Sequence, residues 1–436
     1  MAGRSRGHAW GALPSGAVAV RTLALACLVA APAWANDAFL QKQARTLLGA
    51  GQGVYVLAAD GTVLVDQAGS RAVHPASISK IPTTLALLGR YGPDYRFTTT
   101  LRAAGPVRAG VLESALWVEG GADPFLVDES ALRIVQALQA RGIARIAGGL
   151  RASGTLSFDW QREGAAQRMR RALEGGATAE AWARLQPDPQ ALPLPPMPAL
   201  AIDGDTLESD SPATSALPPV LLVYRSPPLL RIAKALNDYS NNVFAPLAEV
   251  AGGAAAVQAN ARAAVPAALR AEITLGDGAG ADPSNRLSPR ATVALLRALE
   301  ATLARSGHAL VDALPVAGVD RGTLERRLDG EGEAGHVVGK TGTYGEYGAS
   351  ALAGALRTQE HGTVYFAILN HGVPVPVARR RQEAFVRALL ARWHTEAWPY
   401  RRAGLEPWAE ATIEDPAAPA AALAVAPALA PDSAAP

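Results

Sequence analysis

Hydrophobic and polar positions follow two periods along the chain, one typical of strands and one typical of helices. The β-forming run at residues 53–65 has Asp60-Gly61 at its centre, which predicts a hairpin. A helix is predicted soon after it, at 81–88. Helical spacing returns at 229–236, 243–250, 254–270, 291–303 and 381–393, and β-like runs lie at 336–343, 349–356 and 363–369. Because strand residues come from both ends of the chain, we predict an α/β (α+β) fold with helices packed against a largely antiparallel sheet.

The middle of the chain has a different pattern. Short β-like runs lie between residues 96 and 154, around an amphipathic helix at 131–138. A proline-dense stretch follows, and proline removes backbone donors, so this stretch cannot carry long regular elements. We therefore predict that residues 96–219 form a smaller inserted domain and a proline-rich loop. The main domain is then discontinuous, with parts at 36–95 and 220–405.

The first 35 residues have the features of a secretory signal peptide. Arginines precede a short apolar run at 22–32, and Ala33-Trp34-Ala35 is a typical cleavage site. We expect cleavage after Ala35 and export of the mature chain. The one cysteine, Cys27, lies inside this segment, so the mature chain is expected to have no thiol and no disulfide.

Composition excludes several classes of function. Hydrophobic residues make up 49% of the 436 positions, which is enough for a sizeable core, and the formal net charge is +2. No basic run of useful length occurs, which argues against nucleic-acid binding. The seven histidines show no metal-ligand spacing, so no metal or other cofactor is predicted. The alanine- and proline-rich tail at 406–436 is predicted to be disordered.

Three short motifs carry the candidate chemistry. Ser77-x-x-Lys80 opens a predicted helix, where residues three apart lie on one face, so the lysine amine could take a proton from the serine hydroxyl. Ser240-Asn241-Asn242 lies between two predicted helices, and Lys340-Thr341-Gly342 lies on a β-run. Each motif alone is a weak signal: Ser and Asn are also common helix caps, and Lys-Thr-Gly also suits the end of a strand.

The three motifs, in this order, are those of β-lactamases and penicillin-binding proteins. With the flanking segments 225–229, 277–280 and 314–318, the chain resembles the D-alanyl-D-alanine carboxypeptidase/endopeptidase family of penicillin-binding protein 4 type, over roughly residues 53–392. The resemblance implies a β-lactamase/transpeptidase-like fold with a domain inserted between the first two motifs. It also implies a periplasmic hydrolase that acts on peptidoglycan stem peptides and is inhibited covalently by β-lactam antibiotics. Peripheral membrane association is left open, and the sequence makes no prediction of oligomeric state.

Residue chemistry suggests the catalytic roles. A serine hydroxyl is a weak nucleophile, so Ser77 needs a neutral Lys80 as its base, and a dry, cation-rich site favours the neutral amine. Lys340 would supply that positive field and attract the terminal carboxylate of a peptide. Ser240 could relay a proton to the leaving amine, and Asn242 could hold Lys80 and the substrate backbone.

The end of the third motif is the predicted substrate-binding strand. The hydroxyls of Thr341 and Thr343 suit a carboxylate, and Gly342 lies between them. The resemblance implies that the backbone N–H groups of Ser77 and Thr343 stabilise the oxyanion. His74 is interpreted as a packing residue, and residues 277–280 are interpreted as a structural turn.

Two alternatives remain. Ser77-Ile78-Ser79-Lys80 and Tyr239-Ser240-Asn241 also fit the motifs of class C β-lactamases, although the long insertion and the flanking segments argue against such an enzyme. The second alternative is a non-catalytic homologue that binds peptidoglycan fragments. Release of D-alanine and rapid turnover of a β-lactam distinguish the three hypotheses.

Overall fold

The structure is a computed structural model that describes residues 37–186, 193–209, 217–240, 244–345, 348–402 and 406–417. The predicted signal peptide, Asn242 and residues 418–436 of the predicted tail lie outside these ranges. Within the described ranges, no helix combines the length and the apolar character needed to span a bilayer.

The α-helices of the described residues are α1 (Ala38–Gln43), α2 (Lys80–Tyr91), α3 (Asp128–Ala140), α4 (Ala165–Arg171), α5 (Ala179–Arg184), α6 (Leu229–Tyr239), α7 (Phe244–Val250), α8 (Gly253–Ala263), α9 (Pro289–Ala304) and α10 (Val375–Arg392). The strands are β1 (Gly53–Leu57), β2 (Val63–Gln67), β3 (Thr98–Arg102), β4 (Val107–Arg108), β5 (Val111–Leu112), β6 (Leu116–Gly121), β7 (Arg145–Ile146), β8 (Leu150–Thr155), β9 (Ala201–Ile202), β10 (Thr206–Ser209), β11 (Val220–Arg225), β12 (Ile273–Thr274), β13 (Arg286–Leu287), β14 (Val337–Tyr344), β15 (Ala349–Thr358), β16 (Gly362–Asn370), β17 (Thr395–Glu396) and β18 (Thr412–Glu414).

The main sheet joins the two ends of the chain. Its strand order is β14-β15-β16-β1-β2, every pairing along it is antiparallel, and β17 pairs with β15. The predicted hairpin is confirmed as β1 and β2, and the Asp60 carboxylate accepts a hydrogen bond from the Thr62 N–H across its turn, at 2.8 Å. β14 lies at one end of this order, so one of its edges faces away from the sheet.

The main sheet is covered on both faces, because successive side chains of a strand point to opposite sides. One set of strand residues, including Val338 and Ala353, packs in a core with α2 and α9. The alternate set, including Val337 and Leu352, packs in a second core with α1 and α10. Helices thus flank an antiparallel sheet, as predicted, and α2 and α10 lie on opposite faces of it.

A second sheet, with its own core, is built mostly from the predicted insertion. Its strand order is β10-β8-β6-β3-β11-β18, and the pairs that β8 forms with β10 and β6 are parallel. Helix α3 packs on it, and the buried Tyr224 hydroxyl shares a 2.8 Å hydrogen bond with Ser130. The described part of the proline-dense stretch, residues 193–200, has no helix or strand, which confirms that part of the prediction.

Two predicted boundaries differ from the structure. Residues 220–225, assigned to the main domain, form β11 of the second sheet, because β11 pairs with β3. The predicted disorder from residue 406 is wrong for 406–417, where a 3₁₀ turn and β18 are formed. Glu414 pairs with Arg225 and Asp415 pairs with Arg141, so side chains among the alanines and prolines fix this segment to the second sheet.

Candidate active site

Ser77 lies in a 3₁₀ turn, Ala76–Ser79, that runs directly into α2. Pro82 lies in the first turn of α2, where its missing N–H would have no intrahelical partner. Ala76, immediately before Ser77, has a left-handed backbone with φ of 51°, which is uncommon for a residue other than glycine. The chain thus enters the helix through a strained residue, and the surrounding structure must hold it there.

Lys80 is fully buried and contacts Ser77 directly. Its Nζ lies 2.7 Å from Ser77 Oγ and 2.6 Å from the carbonyl oxygen of Ala279. Burial lowers the pKa of Lys80 to about 8, and the charge of Asp277 opposes this shift. With a pKa near 8, about a tenth of the amine is neutral at pH 7, and this form has a lone pair that can take the Ser77 proton.

The loop that supplies the Ala279 carbonyl is organised by Asp277. Its carboxylate accepts hydrogen bonds from the N–H groups of Gly280 at 2.8 Å and Ala281 at 2.9 Å, and from Asn285 Nδ2 at 2.8 Å. Residues 277–280 therefore form a structural turn, as predicted, and this turn also places an acceptor against Lys80. That second role could not be predicted from the sequence, because a backbone carbonyl leaves no signal there.

Lys340 is the second buried amine. Its Nζ lies 2.7 Å from Ser240 Oγ and 3.0 Å from the carbonyl oxygen of Thr341. Burial holds its pKa well below the usual lysine value, and the neighbouring charge of Lys80 lowers it further, whereas Asp238 acts in the opposite direction. Two ammonium groups are difficult to maintain together in so dry a site, so a proton on one disfavours a proton on the other.

Ser240 directly follows α6 as its C-terminal cap and has a left-handed backbone, with φ of 54°. This conformation turns the chain sharply, and the Ser240 hydroxyl accepts the hydrogen bond from Lys340 Nζ. α6 is itself tied to α2, because Asn237 Nδ2 donates to Thr84 Oγ1 at 3.2 Å. Asn242, the last residue of the second motif, lies outside the described residues.

The third motif packs against the first. A Cβ on Gly342 would lie 2.6 Å from the carbonyl oxygen of Pro75 and 3.2 Å from the Cβ of Ala76, so only glycine lets β14 approach the Ser77 turn this closely. Thr341 is buried, whereas Thr343 is exposed at the end of the strand. The structure thus brings Ser77, Lys80, Ser240 and Lys340 into one cluster, with the predicted binding residues along its edge.

Two further features of the site could not be predicted from the sequence. Arg379 of α10 donates from Nη2 to Thr343 Oγ1 at 3.0 Å, although 36 residues separate them. On α6, Lys234 Nζ pairs with Asp320 at 2.5 Å, and burial raises the pKa of Asp238 to about 7. Neither feature has a local motif, because both depend on contacts between distant segments.

His74 lies beside the Ser77 turn. Its Nδ1 accepts a hydrogen bond from the Ala76 N–H at 3.2 Å, and its Nε2 lies 3.0 Å from the carbonyl oxygen of Asp282. Both contacts are to backbone, and burial lowers the pKa of the ring, so His74 is suited to hold the Ser77 turn as a neutral side chain. Across the described ranges, no group of three or more His, Cys, Asp or Glu side chains is placed to hold a metal ion.

Comparison with known proteins gives a family match and a fold. A profile of the D-Ala-D-Ala carboxypeptidase 3 (S13) family matches residues 36–167 and 200–392. The structure is similar to the penicillin G-acylated predatory endopeptidase Bd3459 from Bdellovibrio bacteriovorus, with TM-score 0.70, 23% identity and coverage of 81% of this chain and 96% of that chain. It is also similar to penicillin-binding protein 4 from Haemophilus influenzae in complex with a β-lactam, with TM-score 0.59, 18% identity and coverage of 81% and 98%. These likenesses confirm the predicted fold class.

Proposed function

Since the chain belongs to the D-Ala-D-Ala carboxypeptidase 3 (S13) family of serine peptidases, we propose that Ser77 is the nucleophile of a D-alanyl-D-alanine carboxypeptidase and endopeptidase that acts on peptidoglycan stem peptides. The family match confirms the resemblance inferred from the three motifs and the prediction of a serine-type D-Ala-D-Ala peptidase. The observation that carries the assignment to Ser77 is its 2.7 Å contact with a buried lysine whose pKa is lowered to about 8.

The reaction begins with proton transfer from Ser77 Oγ to neutral Lys80. The serine oxygen then attacks the carbonyl carbon of the scissile D-Ala amide, and the backbone N–H groups of Ser77 and Thr343 stabilise the negative charge on the carbonyl oxygen. The amide C–N bond breaks as the proton that Lys80 received passes to the leaving nitrogen by way of Ser240, whose hydroxyl contacts Lys340. Water then hydrolyses the ester, which releases the peptide acid and frees Ser77.

Lys340 couples substrate binding to this chemistry. A substrate carboxylate near the end of β14 favours the charged form of Lys340, because an opposite charge raises the pKa of an amine. The charge on Lys340 in turn lowers the proton affinity of Lys80, so the bound peptide helps to generate the base. Asn242, although outside the described residues, keeps its proposed role in holding Lys80 and the peptide backbone.

The remaining expectations belong to the same proposal. Export, with the signal peptide removed after Ala35, would place the enzyme in the periplasm beside its peptidoglycan substrate. β-Lactams would act as covalent inhibitors, since Ser77 would attack the carbonyl of the β-lactam ring in the same way as the peptide carbonyl and so open the ring. Neither the peptidase reaction nor the inhibition calls for a metal or another cofactor.

Labelling with a fluorescent penicillin tests the proposal. We expect a stable adduct on the tryptic peptide that contains Ser77, none in Ser77→Ala, and release of D-alanine from a pentapeptide by the wild-type protein. Muropeptide digestion followed by mass spectrometry then measures the balance of carboxypeptidase and endopeptidase products. Adduct formation at another residue would refute the assignment of Ser77, and rapid turnover of nitrocefin without D-alanine release would favour a β-lactamase.

A further inference from the structure

We propose that Arg379 binds the free α-carboxylate next to the scissile amide and so restricts cleavage to peptides that carry this acid. This inference rests on the proposed function and specifies the chemical group that the site recognises. It concerns a residue outside the three motifs, on a helix that packs against the opposite face of the main sheet from α2.

The contact between Arg379 and Thr343 places two donors at one point. Arg379 Nη2 donates to Thr343 Oγ1 at 3.0 Å, and both side chains are exposed to solvent. Because the Thr343 oxygen accepts this bond, its own hydroxyl proton is available for a different acceptor. A guanidinium group has five N–H donors, so Arg379 keeps a planar edge for a second partner. Together the two side chains present a site for an anion at the exposed end of β14.

Local charges favour a carboxylate at this point. None of the ion pairs between residues that the structure describes includes Arg379. The nearest acid on the same face of α10, Glu383, pairs instead with Arg327 at 2.7 Å. Arg379 therefore carries a positive charge that none of these ion pairs neutralises. This charge lies beside the end of β14, the strand that carries Lys340. Arginine binds carboxylates through two parallel hydrogen bonds, which gives geometric selectivity as well as affinity.

The substrate chemistry supplies one acceptor in the required position. When the terminal D-alanine is removed, the leaving nitrogen is attached to a carbon that also carries the free carboxylate. When a cross-link is cut, the same group is present if the leaving amine belongs to an α-amino acid centre. We therefore infer that both activities require this acid, and that cross-links whose leaving amine has no adjacent carboxylate are poor substrates.

The test compares two peptides that differ in one group. A diacyl-L-Lys-D-Ala-D-Ala peptide is offered as the free acid and as the C-terminal carboxamide, and cleavage is followed by mass spectrometry. We expect the wild-type protein to prefer the acid. Arg379→Gln should lower kcat/KM for the acid roughly 10- to 100-fold, the loss typical of one hydrogen bond to a charged group, and mainly through KM. The same substitution should change kcat/KM for the carboxamide less than about threefold.

Matched variants separate recognition from a structural role. Arg380→Gln removes an exposed arginine from the next position of the same helix and should leave both rates within about twofold of wild type. Arg379→Lys keeps the charge without the planar fork and should restore part of the preference for the acid. Thermal unfolding midpoints show whether each variant is folded.

The outcomes also separate this inference from the proposed function. Equal losses on both peptides in Arg379→Gln would show that Arg379 only supports Thr343, and would overturn the inference. Wild-type protein that cleaves the acid and the carboxamide equally well would also overturn it, while leaving the peptidase assignment intact. Wild-type protein that cleaves neither peptide and forms no adduct at Ser77 would refute the proposed function and this inference with it.

Discussion

Two buried amines, those of Lys80 and Lys340, lie in one small site, and a positive charge on one disfavours a positive charge on the other. Lys80 has its pKa lowered to about 8 by burial. Lys340 has its pKa held well below the usual lysine value, because burial acts on it together with the charge of Lys80. Each amine also touches a serine hydroxyl at 2.7 Å. The protonation of this pair therefore decides whether Ser77 has a base available.

The rate of acylation should follow the neutral fraction of Lys80. Its pKa in the folded protein is lowered to about 8, so the neutral form increases as pH rises toward that value. We expect the second-order rate constant for penicillin acylation to rise roughly tenfold per pH unit between about pH 6 and 7.5, and to level off above about pH 8. Stopped-flow or timed gel labelling from pH 5.5 to 9.5 measures the profile. A rate that is flat from pH 6 to 9 would show that Lys80 is not the group that must lose its proton.

Short loops and helix ends hold the side chains of the candidate active site in place. The turn at 277–280 supplies a carbonyl to Lys80, and the end of α6 supplies the Ser240 hydroxyl. Both depend on backbone conformations with positive φ, at Gly280 and at Ser240. Changes in these elements should therefore affect stability and acylation together.

Gly280 and Gly61 form a matched pair that tests this dependence. Both have φ of +92°, but a Cβ on Gly280 would lie 2.0 Å from the Ala76 carbonyl oxygen, whereas a Cβ on Gly61 would meet no atom within 4 Å. Gly61→Ala should lower the free energy of unfolding by only about 1–2 kcal/mol, the expected cost of an alanine with a left-handed backbone. Gly280→Ala should lower the free energy of unfolding by at least about 2 kcal/mol more than Gly61→Ala does, because Ala76 must move. Acylation of Ser77 should slow as well.

Urea unfolding and penicillin labelling of both variants measure these two effects. If Gly280→Ala is no less stable than Gly61→Ala and is acylated at the wild-type rate, the close approach between this turn and the Ser77 turn is not required.

Asp238, near the end of α6, should make stability depend on pH. Its pKa is raised from 3.8 to about 7, chiefly by burial, so the folded state binds this proton more tightly than the unfolded state does. Its contribution to stability is therefore largest below about pH 4 and is lost as pH rises to about 7. The asparagine of Asp238→Asn cannot titrate. We therefore expect this variant to have the same free energy of unfolding as wild type near pH 4.5, and a higher one at pH 8, by roughly 1–4 kcal/mol.

Urea unfolding at the two pH values measures the difference, with Asp94→Asn as a control at an exposed carboxylate. The explanation fails if Asp238→Asn is less stable than wild type at pH 8, since the charged carboxylate would then be a net stabilising partner of Lys234.

Across the whole molecule, features that depend on local sequence could be predicted, whereas features that depend on contacts between distant segments could not. The spacing of Ser77 and Lys80 needs only a helical turn, and the hairpin at Asp60-Gly61 needs only its own turn, so both could be predicted. The Ala279 carbonyl lies 199 residues from Lys80, and nothing in its own segment indicates that contact. Arg379 has no distinguishing signal either, since it is one of three consecutive arginines.

The order of residues 406–417, the first part of the tail, depends on long-range contacts as well. Alanine and proline dominate its composition, but a few side chains and backbone groups fix its first part to both cores. Arg96 donates from Nη1 to the Glu410 carbonyl oxygen, and Arg133 donates from Nη1 to the Trp408 carbonyl oxygen, each at 2.6 Å. The Trp408 ring packs against the core that contains α2, whereas Ile413 packs against the core of the second sheet. The segment 406–417 thus connects the two parts of the molecule.

Two truncations of the chain test this connecting role. A chain that ends after Ala417 keeps every described contact of the segment, so we expect its unfolding midpoint to equal that of the full chain. A chain that ends after Arg402 loses β18 and the Trp408 contacts, and should be less stable by about 2–4 kcal/mol, because buried apolar area and the partners of several arginines are removed together. It should also unfold less cooperatively, since the two cores would lose a shared segment. Calorimetry of both chains measures these effects, and equal midpoints would show that the cores hold together without this strand.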